Sequence, residues 1–245
     1  MTIKIIVNGC KGKMGQAAIA AVDADQELQL VGQADIGDDL GDLIKKTKAD
    51  VVIDFTNPAA RMQNVRTIIE NGADAVIGTT GFTEEDLRIV DGESKKLKKG
   101  VLIAPNFGIG AVLMMQFAAQ AAKYMPSVEI VEYHHDHKAD APSGTAIKTA
   151  QLINETIGQT NPPAVESSEF LPERSQGAKM GNIRIHAVRL PGFVATQEVM
   201  LGAPGQRLIL RHETINRESF MPGVLLACKK ITGKIGLIYG LEKLL

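Results

Sequence analysis

The chain has 245 residues, 44% hydrophobic and 22% charged, a balance that suits a globular protein and argues against disorder, collagen or coiled coil as its main content. With 27 Lys and Arg against 28 Asp and Glu the formal net charge is −1, and no long block of like charge offers a footing to nucleic acid or an anionic membrane, so neither is an expected partner. Two cysteines, Cys10 and Cys228, make no disulfide framework, and the apolar run at 5–7 is too short for a signal segment, which together point to a reducing, cytoplasmic setting.

Up to residue 108, short apolar, β-branched runs alternate with longer amphipathic ones. The runs 3–7, 28–34, 50–55, 74–78 and 101–104 read as buried strands, and 14–22, 40–46, 58–71 and 83–98 as helices between them. Asn57 before Pro58 is a helix start, and Asn71 with Gly72 is a stop. This alternation predicts right-handed crossovers and a Rossmann-type, doubly wound parallel sheet, an α/β fold. The most apolar stretch, 101–122, is interrupted by Pro105, Asn106, Gly108, Gly110, Gln116 and Gln120, so it offers no membrane span.

After Asn106 the rhythm changes. A helix is predicted over 109–124, a strand over 128–133 and a helix over 145–157; the polar run 159–182, with Pro162, Pro163 and Pro172, reads as a long loop. The runs 183–189, 193–201 and 207–213, separated by Pro191 and Gly192 and by Pro204 and Gly205, read as an antiparallel meander. A helix over 219–231 and the apolar tail 235–245 are expected to return to the first domain. The predicted division is therefore 1–108 with 217–245 as one domain, and 109–216 as a second, α+β domain with a mixed or antiparallel open sheet.

Directly after the first strand, Gly9, Cys10, Lys11, Gly12, Lys13, Met14 and Gly15 open a helix. Glycines there let the backbone turn tightly and approach a pyrophosphate, which then sits on the amides of the helix N-terminus, making this the dinucleotide-binding domain. The spacing is G-x-x-G-x-x-G rather than strict G-x-G-x-x-G, and its context is what strengthens it: Asp35 ends the second strand, where an acid meets the adenosine ribose, although it also reads as a turn acid before Gly37. A carboxylate there repels a 2′-phosphate, and the next residue is Ile36 rather than an Arg that would grip one. Lys11 and Lys13, if not merely solvated, offset that repulsion. Both NADH and NADPH are therefore expected cofactors, with NADH at least competitive.

Three of the five histidines fall together, at His134, His135 and His137, beside Asp136 and Lys138. Strand alternation would set His134 and Asp136 on one face and His135 and His137 on the other. As a zinc site the ligands are too bunched and Lys138 would repel the cation, so no metal is expected. The alternative is an anion site: Pro142, Ser143, Gly144 and Thr145 open a helix whose amides and hydroxyls receive a carboxylate, while Lys138 and a histidine supply charge and a general acid. A small acidic substrate fits this domain.

Taken together, these motifs resemble those of the dihydrodipicolinate reductase family. The most specific part is E-x-H-H-x-x-K-x-D-x-P-S-G-T-A, matched in full over 132–146; the Gly9 loop, IDFT at 53–56, GTTG at 78–81 and PNF at 105–107 are also similar. The resemblance implies hydride transfer from a nicotinamide to 4-hydroxy-tetrahydrodipicolinate, with loss of water, in diaminopimelate and lysine biosynthesis. It implies His134 as proton donor or acceptor, Lys138 as a second proton donor, His135 as a substrate contact, and Ser143, Gly144 and Thr145 as the carboxylate cradle. For the cofactor it implies the segment from Gly9 to Met14, then Asp35, then Gly78, Thr79 and Thr80, and finally Ala104, Pro105, Asn106 and Phe107. The last two segments follow the fourth and fifth strands, at the carboxyl edge where ligands of such sheets bind. It further implies a homotetramer built through the second domain's sheet. Two other functions fit the same fold: a nucleotide-sensing binding protein, and a dehydrogenase of another oxo or imino dicarboxylate.

Overall fold

The computed structural model describes residues 2–158 and 176–245. In chain order the elements are β1 (Ile3–Asn8), α1 (Lys13–Ala24), β2 (Leu28–Ala34), α2 (Leu40–Thr47), β3 (Val51–Asp54), α3 (Arg61–Glu70), β4 (Asp74–Ile77), α4 (Glu84–Leu97), β5 (Gly100–Ile103) and α5 (Ile109–Ala122). Then come β6 (Ser127–His134), α6 (Gly144–Ile157), β7 (Ala178–Met180), β8 (Ile183–Arg189), β9 (Ala195–Ala203), β10 (Gln206–Thr214), α7 (Met221–Ile231) and β11 (Gly236–Tyr239). They form two compact units, Met1–Ile109 with Arg217–Leu245, and Gly110–Asn216. Among the described residues no helix is long and apolar enough to cross a membrane.

The first unit is the doubly wound α/β layer structure that its sequence rhythm predicts. Its sheet runs β11-β5-β4-β3-β1-β2, every neighbouring pair parallel. Both faces are covered, which is why Ile5, Ile6 and Val7 are consecutive yet all fully buried. On one face Ile6, Val52, Ala75 and Val101 pack with Ile44 of α2, Val65 and Ile68 of α3 and Val90 of α4. Each such buried aliphatic contributes about 1.5–3 kcal/mol. Across the sheet α1 packs against α7. The apolar tail supplies a sixth strand: β11 pairs with β5, Gly236 opposite Gly100 through Tyr239 opposite Ile103. Local punctuation sets the helix starts. Thr83 and Asp86 form a reciprocal capping box on α4, while Asn57 caps a 3-10 turn, Pro58–Ala60, that precedes α3.

The second unit carries the five-stranded sheet β10-β9-β6-β8-β7. It is mixed: β6 runs parallel to β8 and antiparallel to β9. The expected meander of β8, β9 and β10 is thus corrected, because β6 lies between β8 and β9 and, of those three strands, β9 and β10 alone are paired with each other. The physical reason is the core: Val128 and Ile130 of β6 fill the middle of the apolar face between Ile183 and Ile185 on one side and Val199 and Leu201 on the other, all packed on Ala118 and Ala122 of α5 and Ala146, Ala150 and Ile153 of α6. The turn at Pro191 and Gly192 crosses the end of β6, where the Leu190 amide donates to the His134 carbonyl at 3.0 Å. Of the loop expected over 159–182, residues 159–175 lie outside the described residues, and Ala178–Met180 is a strand that pairs with β8.

Candidate functional site

In the first unit the loops at the carboxyl ends of the strands carry the glycine motif. Gly9 has φ +82°, and a Cβ there would lie 2.7 Å from the Phe55 carbonyl oxygen, so both conformation and space demand glycine. A Cβ on Gly15 would stand 2.1 Å from the Gly9 carbonyl oxygen, which is how α1 begins hard against β1. Gly12 caps α1 with no side-chain bond, and no acid occupies the first turn. The Lys13 and Met14 amides therefore open an N-terminus suited to a pyrophosphate, with Lys11 and Lys13 exposed beside it.

Asp35 closes the other side of this loop. Its carboxylate accepts from the Lys11 amide at 2.8 Å, the Ile36 amide at 2.9 Å and the Cys10 thiol at 3.8 Å. The Lys11 and Ile36 amides hold its carboxyl below the usual carboxylate range, leaving an ionised acceptor at the end of β2. Burial, and then Asp35, push the Cys10 thiol up, so it stays protonated and donates. Ile36 is 89% exposed next to it.

The segments after β4 and β5 divide between surface and interior. Thr80 and Pro105 are exposed, whereas Ala104 and Phe107 are buried. Gly78 is glycine for a packing reason: a Cβ would lie 2.1 Å from Phe55 Cε1, whose ring meets Phe107 edge-on at 5.9 Å. Asn106 Oδ1 accepts from the Gly108 amide at 2.7 Å. The Thr79 hydroxyl is turned inward and donates to Asp54 Oδ1 at 2.8 Å. Asp54 stands in the IDFT motif at 53–56, but its role escaped the sequence reading because it looks like any strand-end polar residue. It is fully buried and also accepts from Asn8, Asn64 and Thr56 side chains, each at 2.8 Å. One carboxylate thereby ties β1, β3, α3 and the loop after β4 together.

In the second unit β6 ends at His134, so the expected alternation of His134 and Asp136 against His135 and His137 stops there. His135 and His137 are exposed in the following turn with ring centroids 6.4 Å apart. Among the described residues no group of three or more His, Cys, Asp and Glu is placed to hold a metal ion. Lys138 Nζ pairs with the Asp140 carboxylate at 2.6 and 2.8 Å, and this bond holds the Asp140 carboxyl below its ordinary range. Ser143 is buried and caps α6, its Oγ accepting from the Ala146 amide at 3.2 Å; Gly144 and Thr145 form the first turn. The Ser143 hydroxyl keeps its own O–H to give.

Glu132, which the sequence places at the head of the 132–146 motif without a role, and Arg189, which it does not single out, organise this region. Glu132, fully buried, accepts from His134 Nδ1, from Arg189 Nη1 at 2.9 Å and Nη2 at 2.8 Å, and from the Ser143 amide at 3.1 Å. Burial opposes its ionisation, but the bonds and charges of His134 and Arg189 outweigh it and hold its carboxyl below the usual glutamate range. The signal that could have given Glu132 its role is an acid two residues before a histidine on the strand face that Val128 and Ile130 bury; Arg189 ends a strand and carries no local mark.

Comparison with known proteins agrees on one family. Residues 3–107 match the family described as dihydrodipicolinate reductase, N-terminus, and residues 110–245 match dihydrodipicolinate reductase, C-terminus. The 4-hydroxy-tetrahydrodipicolinate reductase of Mycolicibacterium smegmatis is 50% identical over 244 residues, covering 99% of each chain. That of Streptococcus gordonii is 49% identical and covers 100% of both. Among solved structures, dipicolinate-bound dihydrodipicolinate reductase from Paenisporosarcina sp. TG-14 superposes with a TM-score of 0.90 at 39% identity over the full length of both chains.

Proposed function

Since this chain belongs to the dihydrodipicolinate reductase family of nicotinamide-dependent oxidoreductases, we propose that it reduces 4-hydroxy-tetrahydrodipicolinate to tetrahydrodipicolinate in diaminopimelate and lysine biosynthesis. The observation that carries the reading is the convergence, within residues 132–146, of an imidazole held through Nδ1, a lysine and a capped helix N-terminus. Such a set binds a small dicarboxylate and moves protons. A dicarboxylate ligand is also what the Paenisporosarcina structure is described as holding.

The substrate carboxylate is received by the Ser143 hydroxyl and the first turn of α6 at Gly144 and Thr145, with His135 beside it. The net reaction takes up one hydride and one proton and releases one water. Reduced nicotinamide supplies the hydride when bound. His134 holds or takes up a proton at Nε2, its Nδ1 being committed to Glu132. Lys138, released from Asp140 by the incoming dicarboxylate, is the second proton donor and neutralises substrate charge. The Gly9 to Met14 loop, which a Cβ would fill, receives the pyrophosphate; Asp35 takes the ribose, and Gly78, Thr79, Thr80 and the segment Ala104 to Phe107 take the nicotinamide end.

Both NADH and NADPH serve in this reading: Asp35 favours the unphosphorylated ribose, while exposed Lys11 and Lys13 offset its repulsion of a 2′-phosphate. A preference for NADPH above about a hundredfold would overturn it. The protein is read as cytoplasmic and as a homotetramer joined through the sheet face of the second unit opposite α5 and α6, whose measured mass in solution checks it. The activity is tested by feeding aspartate semialdehyde and pyruvate through the preceding synthase and following oxidation of the reduced cofactor. No oxidation above the synthase-only rate would refute the function.

A further inference from the structure

Glu132 is a charged group with no exposure, placed two residues before the proton-transferring histidine on the same face of β6. Its carboxylate can only accept, so its bond to His134 requires the proton on Nδ1. Its two oxygens are otherwise taken by the fork of Arg189 and by the Ser143 amide. Arg189 then reaches past the carboxylate: Nη2 donates to the Asp140 carbonyl at 2.7 Å and Nε to the Lys138 carbonyl at 3.3 Å. A guanidinium suits this place because its five donors lie in one plane, enough to bind the acid bidentately and still hold three backbone carbonyls, the third being that of Val188 at 2.8 Å from Nη1. Register supports the arrangement, since Arg189 lies opposite His134 in the parallel β6 and β8 pair.

We propose that Glu132, anchored by Arg189, is the positioning residue of the proton-transfer site. It fixes His134 as the Nδ1–H tautomer, leaving Nε2 as the atom that exchanges a proton with substrate. Through Arg189 and Ser143 it also ties the imidazole to the backbone that carries Lys138 and to the carboxylate cradle of α6. Three groups that must act on one molecule are thereby referred to a single buried charge. This inference rests on the reading of His134 and Lys138 given above.

The test uses full-length protein with 15N-labelled histidine, the His134 signals being assigned by their loss in His134→Gln. In the wild type at mildly alkaline pH, His134 should show a protonated Nδ1 and a bare Nε2; the opposite tautomer overturns the proposal without any variant. Glu132→Gln offers one acceptor oxygen to four donors, so it should mix the tautomers and lower kcat about a hundredfold, within what general acid–base catalysis contributes. KM for reduced cofactor should not move. Glu132→Asp keeps the charge and should restore the single tautomer and much of kcat. Arg189→Lys, which cannot fork, should keep the tautomer but raise KM for the dicarboxylate. A Glu132→Gln enzyme with normal kcat, or one that is slow with the tautomer unchanged, refutes the role. If His134→Gln itself turns over normally, the reading of the site fails instead.

Discussion

Asp54→Ala is the most demanding test of the first unit. The carboxylate is fully buried and accepts from Asn8, Asn64, Thr56 and Thr79 side chains. Removing it leaves these four side chains, and the Thr56 amide that gives to Oδ1 at 3.2 Å, without that acceptor, but they do not suffer equally. Asn64 and Thr56 are partly open to solvent and regain water, whereas Asn8 and Thr79 are each 6% exposed and cannot. At about 1–3 kcal/mol for each donor left buried and unpaired, the cost is about 2–6 kcal/mol. For a chain of this length that lowers the midpoint of thermal unfolding by at least about 4 °C. Asp54→Asn keeps one acceptor oxygen, and the neighbouring amides can turn to meet the new NH2, so its cost should be well under half. The assay is denaturant and thermal unfolding of both variants, with cofactor affinity measured alongside because the Thr79 loop loses its tether. A loss below about 1 kcal/mol for Asp54→Ala would mean that the cluster is not a structural hub.

Four further outcomes follow from the geometry. Gly78→Ala would drive a Cβ to 2.1 Å from Phe55 and 3.2 Å from Phe107, so it should destabilise by about 1–3 kcal/mol through overpacking, as read by unfolding midpoints. Replacing Lys11 and Lys13 together with Ala should raise KM for NADPH several-fold more than KM for NADH; equal effects would remove their link to a 2′-phosphate. Lys138→Ala should lower kcat by about 10²-fold or more with cofactor binding unchanged, and an unaltered kcat would strip it of its role. Burial holds the His212 pKa below its ordinary value, so the native state binds fewer protons than the unfolded chain, and stability present above the ordinary histidine range is lost as pH falls below it. Denaturation midpoints should fall on acidification, less so in His212→Gln, and a rise would contradict the assignment.

The parallel sheet was legible because strands buried on both faces must be apolar at every position, as Ile5, Ile6 and Val7 are. The glycine loop was legible for a different reason, since Gly9 and Gly15 answer steric demands that no other residue meets. Pairing order was not. Nothing local in 183–201 reveals that β6 inserts between β8 and β9, because a parallel partner is chosen by core filling rather than by the intervening turn. The roles of the acids that organise each unit were hidden for a related reason. Asp54 and Glu132 act through donors far away in sequence, Asn8 at a separation of 46 and Arg189 at 57, and sequence periodicity says nothing about such pairs.

The return of the chain has a consequence for the order in which the protein is made. The second unit is encoded by one continuous stretch, Gly110–Asn216, while the first needs Arg217–Leu245 as well. During synthesis the inserted unit is therefore complete before its host. Until α7 and β11 emerge, β5 stands as a bare sheet edge, and the places later filled by Val224, Ala227, Cys228 and Ile231 of α7 are empty. A ribosome stalled late in the message would thus release a chain whose inserted unit is whole and whose dinucleotide fold is not, a natural substrate for chaperones rather than a partly active enzyme.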